Sequence, residues 1–320
     1  MTRDISVLGP LNIDLLIVGE GPEDLPDLPV WDGPADMTMT AAGSVGYTIS
    51  DMAKLDLDVR VVSNVPYDPL GLFIIDSLKR DGVDVSGIRK IPGTEAGIGV
   101  YMLLFGSRKR PLVYRLPTHK AWPDVLTDIE VDEMLNTKIL HCGGLLHFKD
   151  LWNGAATDLF KEAKERGIIT TLDPQFPLFV MDPPWIRAIT DILPYVDILF
   201  CDETEARKLT DADSLQECAE ILLNSGPRTV VIKQGAEGAA VYTREMSYFQ
   251  PAVNLGKLVD SIGAGDAFDA AFLYGTLQGW PLEKRLLFSC AAAGFTVTGV
   301  GGTDTFPAIE KIERVIKELN

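Results

Sequence analysis

From about residue 137 onward, short β-branched runs alternate with helical patterns, and this alternation constrains the fold more than any other feature of the chain. Strand-like runs fall near Ile139, Ile169, Ile198 and Val230. Between them, apolar residues recur at helical spacing over Leu151–Glu165, Pro184–Leu193 and Leu215–Asn224. Two longer helical patterns, Ala264–Gln278 and Leu282–Thr298, close the chain. Strands alternating with helices are joined by crossovers, so the expectation is an α/β fold with a mainly parallel sheet covered on both faces, a three-layer sandwich.

The first 120 residues follow this rule only in part. Ile5–Gly9 and Val59–Ser63 read as strands, and Gly43 opens a helix that runs to Leu55. Pro69–Arg80 reads as a helix, with proline at its start and Gly82 just past its end. The rest is β-rich without helices: Met37–Thr40, then Gly97–Phe105 and Pro111–Leu116 joined by the polar turn Gly106–Arg110. Residues 12–19, 35–41 and 96–116 are therefore assigned to a small β-sheet lid beside the main sheet. With no internal repeat or linker, residues 1–320 are expected to form one domain carrying that lid.

Alternation along the lid puts Val100, Met102 and Leu104 on one face and Tyr101, Leu103 and Phe105 on the other. Both faces are apolar. One can cover a small-molecule ligand, and the other needs a partner, so a homodimer clasped through the lid is expected.

Charge narrows the function. The net charge of −17 disfavours nucleic acid and anionic membranes as partners. The apolar run Ile13–Val18 is too short to span a bilayer and contains Asp14. The four cysteines, Cys142, Cys201, Cys218 and Cys290, form no C-x-x-C pair, which fits reduced thiols in a cytoplasmic protein. His119, His141 and His147 are too scattered to form a metal site.

One stretch carries chemistry. In Asp260-Ser261-Ile262-Gly263-Ala264-Gly265-Asp266-Ala267-Phe268, a small-residue turn follows the apolar run Lys257–Val259, read as a strand, and opens a strong helical pattern. Unpaired amides and the positive end of the dipole let such a turn hold an anion. Asp266 lies within the same turn, where a carboxylate can accept a proton from an attacking hydroxyl.

This stretch resembles the C-terminal signature of the ribokinase (PfkB-type carbohydrate kinase) family, usually D-T-x-G-A-G-D. The resemblance extends along the chain: Gly9-Pro10-Leu11-Asn12-Ile13-Asp14 is similar to the family's opening strand, and Ala42-Gly43-Ser44-Val45 to its Gly-Gly turn. Asp68-Pro69-Leu70-Gly71 is similar to its D-x-x-G, Leu172-Asp173-Pro174 to its D-P, and Asp202-Glu203-Thr204-Glu205-Ala206 to its N-x-x-E-A. Lys233-Gln234-Gly235-Ala236-Glu237-Gly238 resembles the nucleotide loop T-x-G-x-x-G.

The resemblance implies a ribokinase-like sandwich and an ATP-dependent kinase for a sugar or sugar acid. It makes Asp266 the base, with Gly263, Ala264 and Gly265 as an anion hole. Asn12, Asp14, Gly43 and Tyr47 would face the substrate, with Arg115 ready to pair with a carboxylate or phosphate on it. Lys233, Gly235, Gly238 and Cys290 would lie on the nucleotide side. Glu205 and Asp202 would serve Mg²⁺, and a monovalent cation such as K⁺ is a further candidate.

The sequence also departs from the pattern. Tyr47, Gln175 and Asp202 each stand where the family has Asn, and Cys290 replaces an adenine-side Asn. Two other readings stay open. A nucleoside kinase would use Tyr47, Tyr101 and Phe105 as apolar surface for a base. A catalytically silent sugar-binding regulator would keep the fold but lose Asp266 or the G-A-G turn, and both are intact here. A dinucleotide-binding dehydrogenase is disfavoured because no G-x-G-x-x-G follows the first strand.

Overall fold

Alternation of buried side chains along the strands feeds two separate cores. In β10 (Ile198–Asp202), Ile198 and Phe200 enter one core while Leu199 and Cys201 enter the other. In β11 (Thr229–Lys233), Val231 faces one way and Val230 and Ile232 the other. Strands buried on both sides require helices on both sides, which is the sandwich expected above. The computed structural model describes residues 2–22, 25–105, 112–118, 128–147, 149, 152, 154–177 and 179–319. The turn Gly106–Arg110, Pro111, His119 and Leu151 lie outside them.

The remaining strands of the main sheet are β1 (Arg3–Leu8), β4 (Val59–Pro66), β5 (Asp84–Ile91), β8 (Thr137–Gly143), β9 (Ile169–Asp173), β12 (Gly238–Tyr242) and β13 (Ser247–Pro251). Their order is β13-β12-β11-β10-β9-β8-β1-β4-β5. Pairing is parallel from β5 through β11, and the β12–β13 hairpin adds an antiparallel edge. One core receives α1 (Gly46–Lys54), α2 (Pro69–Arg80), α7 (Ala264–Leu277), α8 (Leu282–Thr296) and Ile312 of α9 (Ile309–Leu319). The other receives α4 (Ala155–Glu165), α5 (Glu203–Thr210), α6 (Leu215–Asn224) and Met134 from α3 (Asp128–Met134). Among the described residues, no helix is long and apolar enough to cross a membrane.

The lid is a separate four-stranded sheet, ordered β3 (Asp36–Ala42), β2 (Asn12–Val18), β6 (Ile98–Leu103), β7 (Leu112–Arg115). Its register assigns the faces. Leu15 sits opposite Met39 and Val100, and Val100 opposite Val113, so these four share the outer face. Leu16 sits opposite Tyr101, Tyr101 opposite Leu112, and Asp14 opposite Gly99, on the face toward the main domain. Leu104, expected on the strand, lies beyond its end and is buried against Gly21.

Several sequence expectations need correction. Lys257–Val259 is not a strand: its one ladder-like bond, Val259 N–H to the Val297 carbonyl at 2.9 Å, goes to the end of α8, and Leu258 and Val259 are exposed. Pro184–Leu193 does not form a helix but holds the 3₁₀ turn Trp185–Ala188, and another turn follows at Leu193–Tyr195. The helix expected from Leu151 starts at Ala155, after Gly154 at φ 85°. The chain closes with a third helix, α9, whose apolar stripe packs on α8. The strand β5 and the β12–β13 hairpin were not expected. They extend the main sheet at its two edges.

Candidate active site

The parallel strands end side by side, and a cleft of about 1060 Å³ lies over their carboxyl ends, roofed by the lid. That is where open α/β sheets bind ligands. Asp173 ends β9, Asp202 ends β10 and Lys233 ends β11, so the topology delivers three charged side chains to one floor. The N-terminus of α7 enters the same floor. Gly263 adopts φ 73°, a left-handed conformation that glycine takes without strain, and no side chain caps the helix. The first turn therefore presents its amides and dipole to the cleft. Ala264 N–H donates to the Ser261 carbonyl at 3.3 Å.

Asp266 sits in that first turn and lines the cleft. Thr48 Oγ1 donates to its Oδ1 at 2.6 Å. Enclosure pushes the carboxyl up to about 7, with Asp173 and Asp14 adding to the rise, while the Thr48 hydrogen bond and Lys233 restrain it. A carboxyl poised near neutrality suits general-base work.

Tyr47, the neighbour of Thr48 on α1, donates its hydroxyl to Asp14 Oδ2 at 2.8 Å. Its ring is 3% exposed and packs with Leu16, Ala42 and Ile262. A Cβ on Gly302 would lie 3.0 Å from that ring. Tyr47 is thus a wall of the site and orients Asp14, and its ring face is already covered. Asn12, Asp14, Gly43 and Arg115 also line the cleft, so the structure brings all the expected substrate-side residues together. Gly43 has φ 94°, and a Cβ there would lie 2.7 Å from the Pro10 carbonyl, which accounts for glycine at this turn. Arg115 donates through Nε and Nη2 to the Ala96 carbonyl at 3.1 and 2.9 Å, and its Nη1 lies 3.6 Å from Glu95.

On the nucleotide side, Lys233 and Gly235 line the cleft. Gly238 instead opens β12, packed against the Gln250 carbonyl. Cys290 is buried in α8 with its Sγ 3.9 Å from the same carbonyl, and it is not among the residues lining the cleft.

Asp202 and Glu205 form a reciprocal cap on α5. Asp202 Oδ1 accepts from Glu205 N–H at 2.7 Å, and Glu205 Oε2 accepts from Asp202 N–H at 2.8 Å. Burial, with Asp173 and Asp202 nearby, pushes the Glu205 carboxyl up to about 8. Among the described residues, no group of three or more His, Cys, Asp or Glu is placed to hold a metal alone. Two oxygen-bearing side chains lining the cleft fit Mg²⁺, an ion that keeps several waters and needs few protein ligands.

Sequence reasoning missed Thr48, the Asp269 partner of Lys233, and a bridge at the cleft wall. In that bridge Ser44 Oγ lies 2.8 Å from His147 Nδ1, and Gln175 Nε2 donates to the Ser44 carbonyl at 3.0 Å. Burial holds the His147 ring well below its usual range, at about 4, so it is neutral. His141 is buried against Thr171 at 2.9 Å. A signal for Asp269 did exist: it is the single charge in the otherwise apolar run Ala267–Leu273.

A two-faced parallel sheet, a β lid over its carboxyl edge and an uncapped helix carrying an aspartate define a ribokinase-like small-molecule kinase. The model of the pfkB family of carbohydrate kinases matches residues 3–309, and this chain belongs to that family. It is an ATP-dependent carbohydrate kinase. The chain is similar to a 5-dehydro-2-deoxygluconokinase of Clostridium perfringens, at 28% identity over 86% of this chain and 83% of that protein. It is similar also to a 2-dehydro-3-deoxygluconokinase of Thermoproteus tenax, at 30% identity over 81% and 80%. Among solved structures, an Arabidopsis thaliana ribokinase complexed with ribose and ATP superposes with a TM-score of 0.80 at 23% identity, covering 99% of each chain.

Proposed function

We propose that the protein transfers the γ-phosphoryl group of ATP to a hydroxyl of a sugar acid, with Asp266 as general base. The observation that carries this reading is the Asp266 carboxyl itself: set in the first turn of an uncapped helix, oriented by Thr48 and raised to about 7. Asp266 would take the hydroxyl proton as that oxygen attacks the γ-phosphorus in line, and ADP would leave. The start of α7 at Gly263–Gly265 would face the developing charge with its helix dipole and the amides not already bonded, as Ala264 N–H is to Ser261. Asp202 and Glu205 would hold Mg²⁺ through its water shell, and the ion would screen the phosphates.

The substrate class rests on two supports. Both curated relatives described above are named for keto-deoxy sugar acids. Arg115 is a cation at the lid side of the cleft, able to trade its contact with Glu95 for a substrate carboxylate. The nucleoside alternative loses its main argument, because the Tyr47 ring is buried and does not offer a stacking face.

The test is an ATP-consumption assay with Mg²⁺ over neutral sugars, keto-deoxy sugar acids, sugar phosphates and nucleosides, run in K⁺ and in Na⁺. Turnover highest on a sugar acid is expected. Turnover confined to nucleosides or neutral sugars would overturn the substrate class.

A further inference from the structure

Among the described residues lining the cleft, Arg115 and Lys233 are the two that carry a fixed positive charge, and Lys233 is the one on the floor. Its side chain is 14% exposed, and the carboxylates that hold it, Asp173 and Asp269, are 5% and 3% exposed. Buried ion clusters stabilise folds poorly, since apolar side chains of similar volume do as well or better. Fold stability alone gives little reason for three charges here.

The geometry gives another reason. Lys233 Nζ donates to Asp173 Oδ2 at 2.8 Å and to the two oxygens of Asp269 at 3.2 and 3.1 Å. These bonds join the ends of β9 and β11 to the second turn of α7. Asp269 stands three residues after Asp266 on that helix, so the two share a face. Nζ also lies close to the first turn: a Cβ at Gly265 would sit 3.6 Å from it. With Thr48 bonded to Asp266 from α1, successive turns of α7 are each tied to a different part of the main domain.

We propose that Lys233 is a positioning residue for phosphoryl transfer: by bridging Asp173 and Asp269 it sets the rotation and depth of α7, and so aims Asp266 and the glycine turn at one reacting point. This rests on Asp266 being the base. A small rotation of α7 would move Asp266 off the hydroxyl while leaving the lid and the Gly235 loop in place. The signature is a loss in kcat with KM nearly unchanged, and a displacement of about 1 Å can lose on the order of 10²-fold.

The test compares Lys233→Met with the double variant Lys233→Met/Asp269→Leu. It measures kcat, KM for ATP, KM for the best acceptor of the panel above, and thermal midpoint. Both variants are expected to lose roughly 10- to 100-fold in kcat, with each KM within about threefold. A third variant, Lys233→Met/Asp173→Asn/Asp269→Leu, removes every charge of the cluster; it is expected to share the loss in kcat and to melt close to the parent, because no buried carboxylate is left without its cation. It therefore carries the test if the single variant fails to fold. A double or triple variant with parental kcat would reduce the cluster to a structural role. A rise in KM for ATP alone would make Lys233 a nucleotide contact instead. Asp266→Asn, run in parallel, separates the two readings. If it is inactive while the Lys233 variants turn over normally, only the positioning role falls. If Asp266→Asn turns over normally, the base assignment falls and takes this proposal with it.

Discussion

The floor of the cleft and its roof are built on opposite terms. The floor places carboxylates and an ammonium where water scarcely reaches, each held by a short bond to another element, as in Lys233 with Asp173 and Thr48 with Asp266. The roof is a four-stranded sheet whose outer face leaves apolar side chains in the open, Met37 at 69% and Val113 at 59% exposure. Charges buried in fixed pairs give a site that barely reorganises during chemistry. A thin sheet with exposed faces is suited to fitting itself around a ligand or another sheet. On the proposed function the floor sets the rate and the roof the recognition, and substitutions in each should separate kcat from KM.

The largest effect belongs to the floor. Asp266→Asn should lower kcat by at least about 10²-fold with little change in KM for either substrate, measured by steady-state kinetics. Relative to the parent, the same variant should gain thermal stability as pH rises. The folded Asp266 carboxyl stands near 7 against an ordinary value of 3.8, so the native state holds a proton that the unfolded chain releases. The parent therefore loses stability from about pH 4 to about pH 7, and the asparagine variant lacks that loss. A melting series across this range checks the sign.

Thr48→Val should come next, with kcat reduced about 10-fold and the acid limb of the pH–kcat profile moved upward, because the lost hydrogen bond favoured the ionised carboxylate. An unmoved limb would detach Thr48 from the base. On the roof, Arg115→Ala should raise KM for a sugar acid by about 10-fold and leave kcat within about twofold, the loss of one charge-assisted contact. An equal rise for neutral sugars would show that Arg115 holds the β6–β7 edge rather than the substrate. The smallest kinetic effect is expected from Val113→Lys on the outer face. If a second copy covers that face, sedimentation should show the parent as a dimer and the variant as a monomer, with kcat almost unchanged. A parent that sediments as a single chain removes the homodimer.

The legible parts of the molecule were the local ones. The Gly263–Asp266 turn could be read because its small residues and its aspartate lie within four successive positions at a helix start, and α2 because Pro69 and Gly82 bracket it. The lid strands declared themselves by alternation and by the missing helices between them. What sequence concealed was made by distant contacts. Thr48 and Asp266 are 218 positions apart, and Lys233 and Asp269 are 36 apart, so no local pattern announces either pair. The surroundings of Cys290 were hidden for a related reason: its side chain is buried beside the Gln250 carbonyl, 40 positions away in the chain. The false strand at Lys257–Val259 has strand-like residues, but its backbone bonds to the end of α8 rather than to a neighbouring strand.

Tyr47 and Thr48 are consecutive residues of α1, and each holds one side of the cleft: Tyr47 grips Asp14 of the lid, Thr48 grips Asp266 of the floor. A single peptide unit therefore connects roof and base. Two hydrogen bonds and one backbone link thus tie Asp14 of β2 to the carboxyl proposed as the base, so neither side chain can be repositioned without disturbing the same turn of α1.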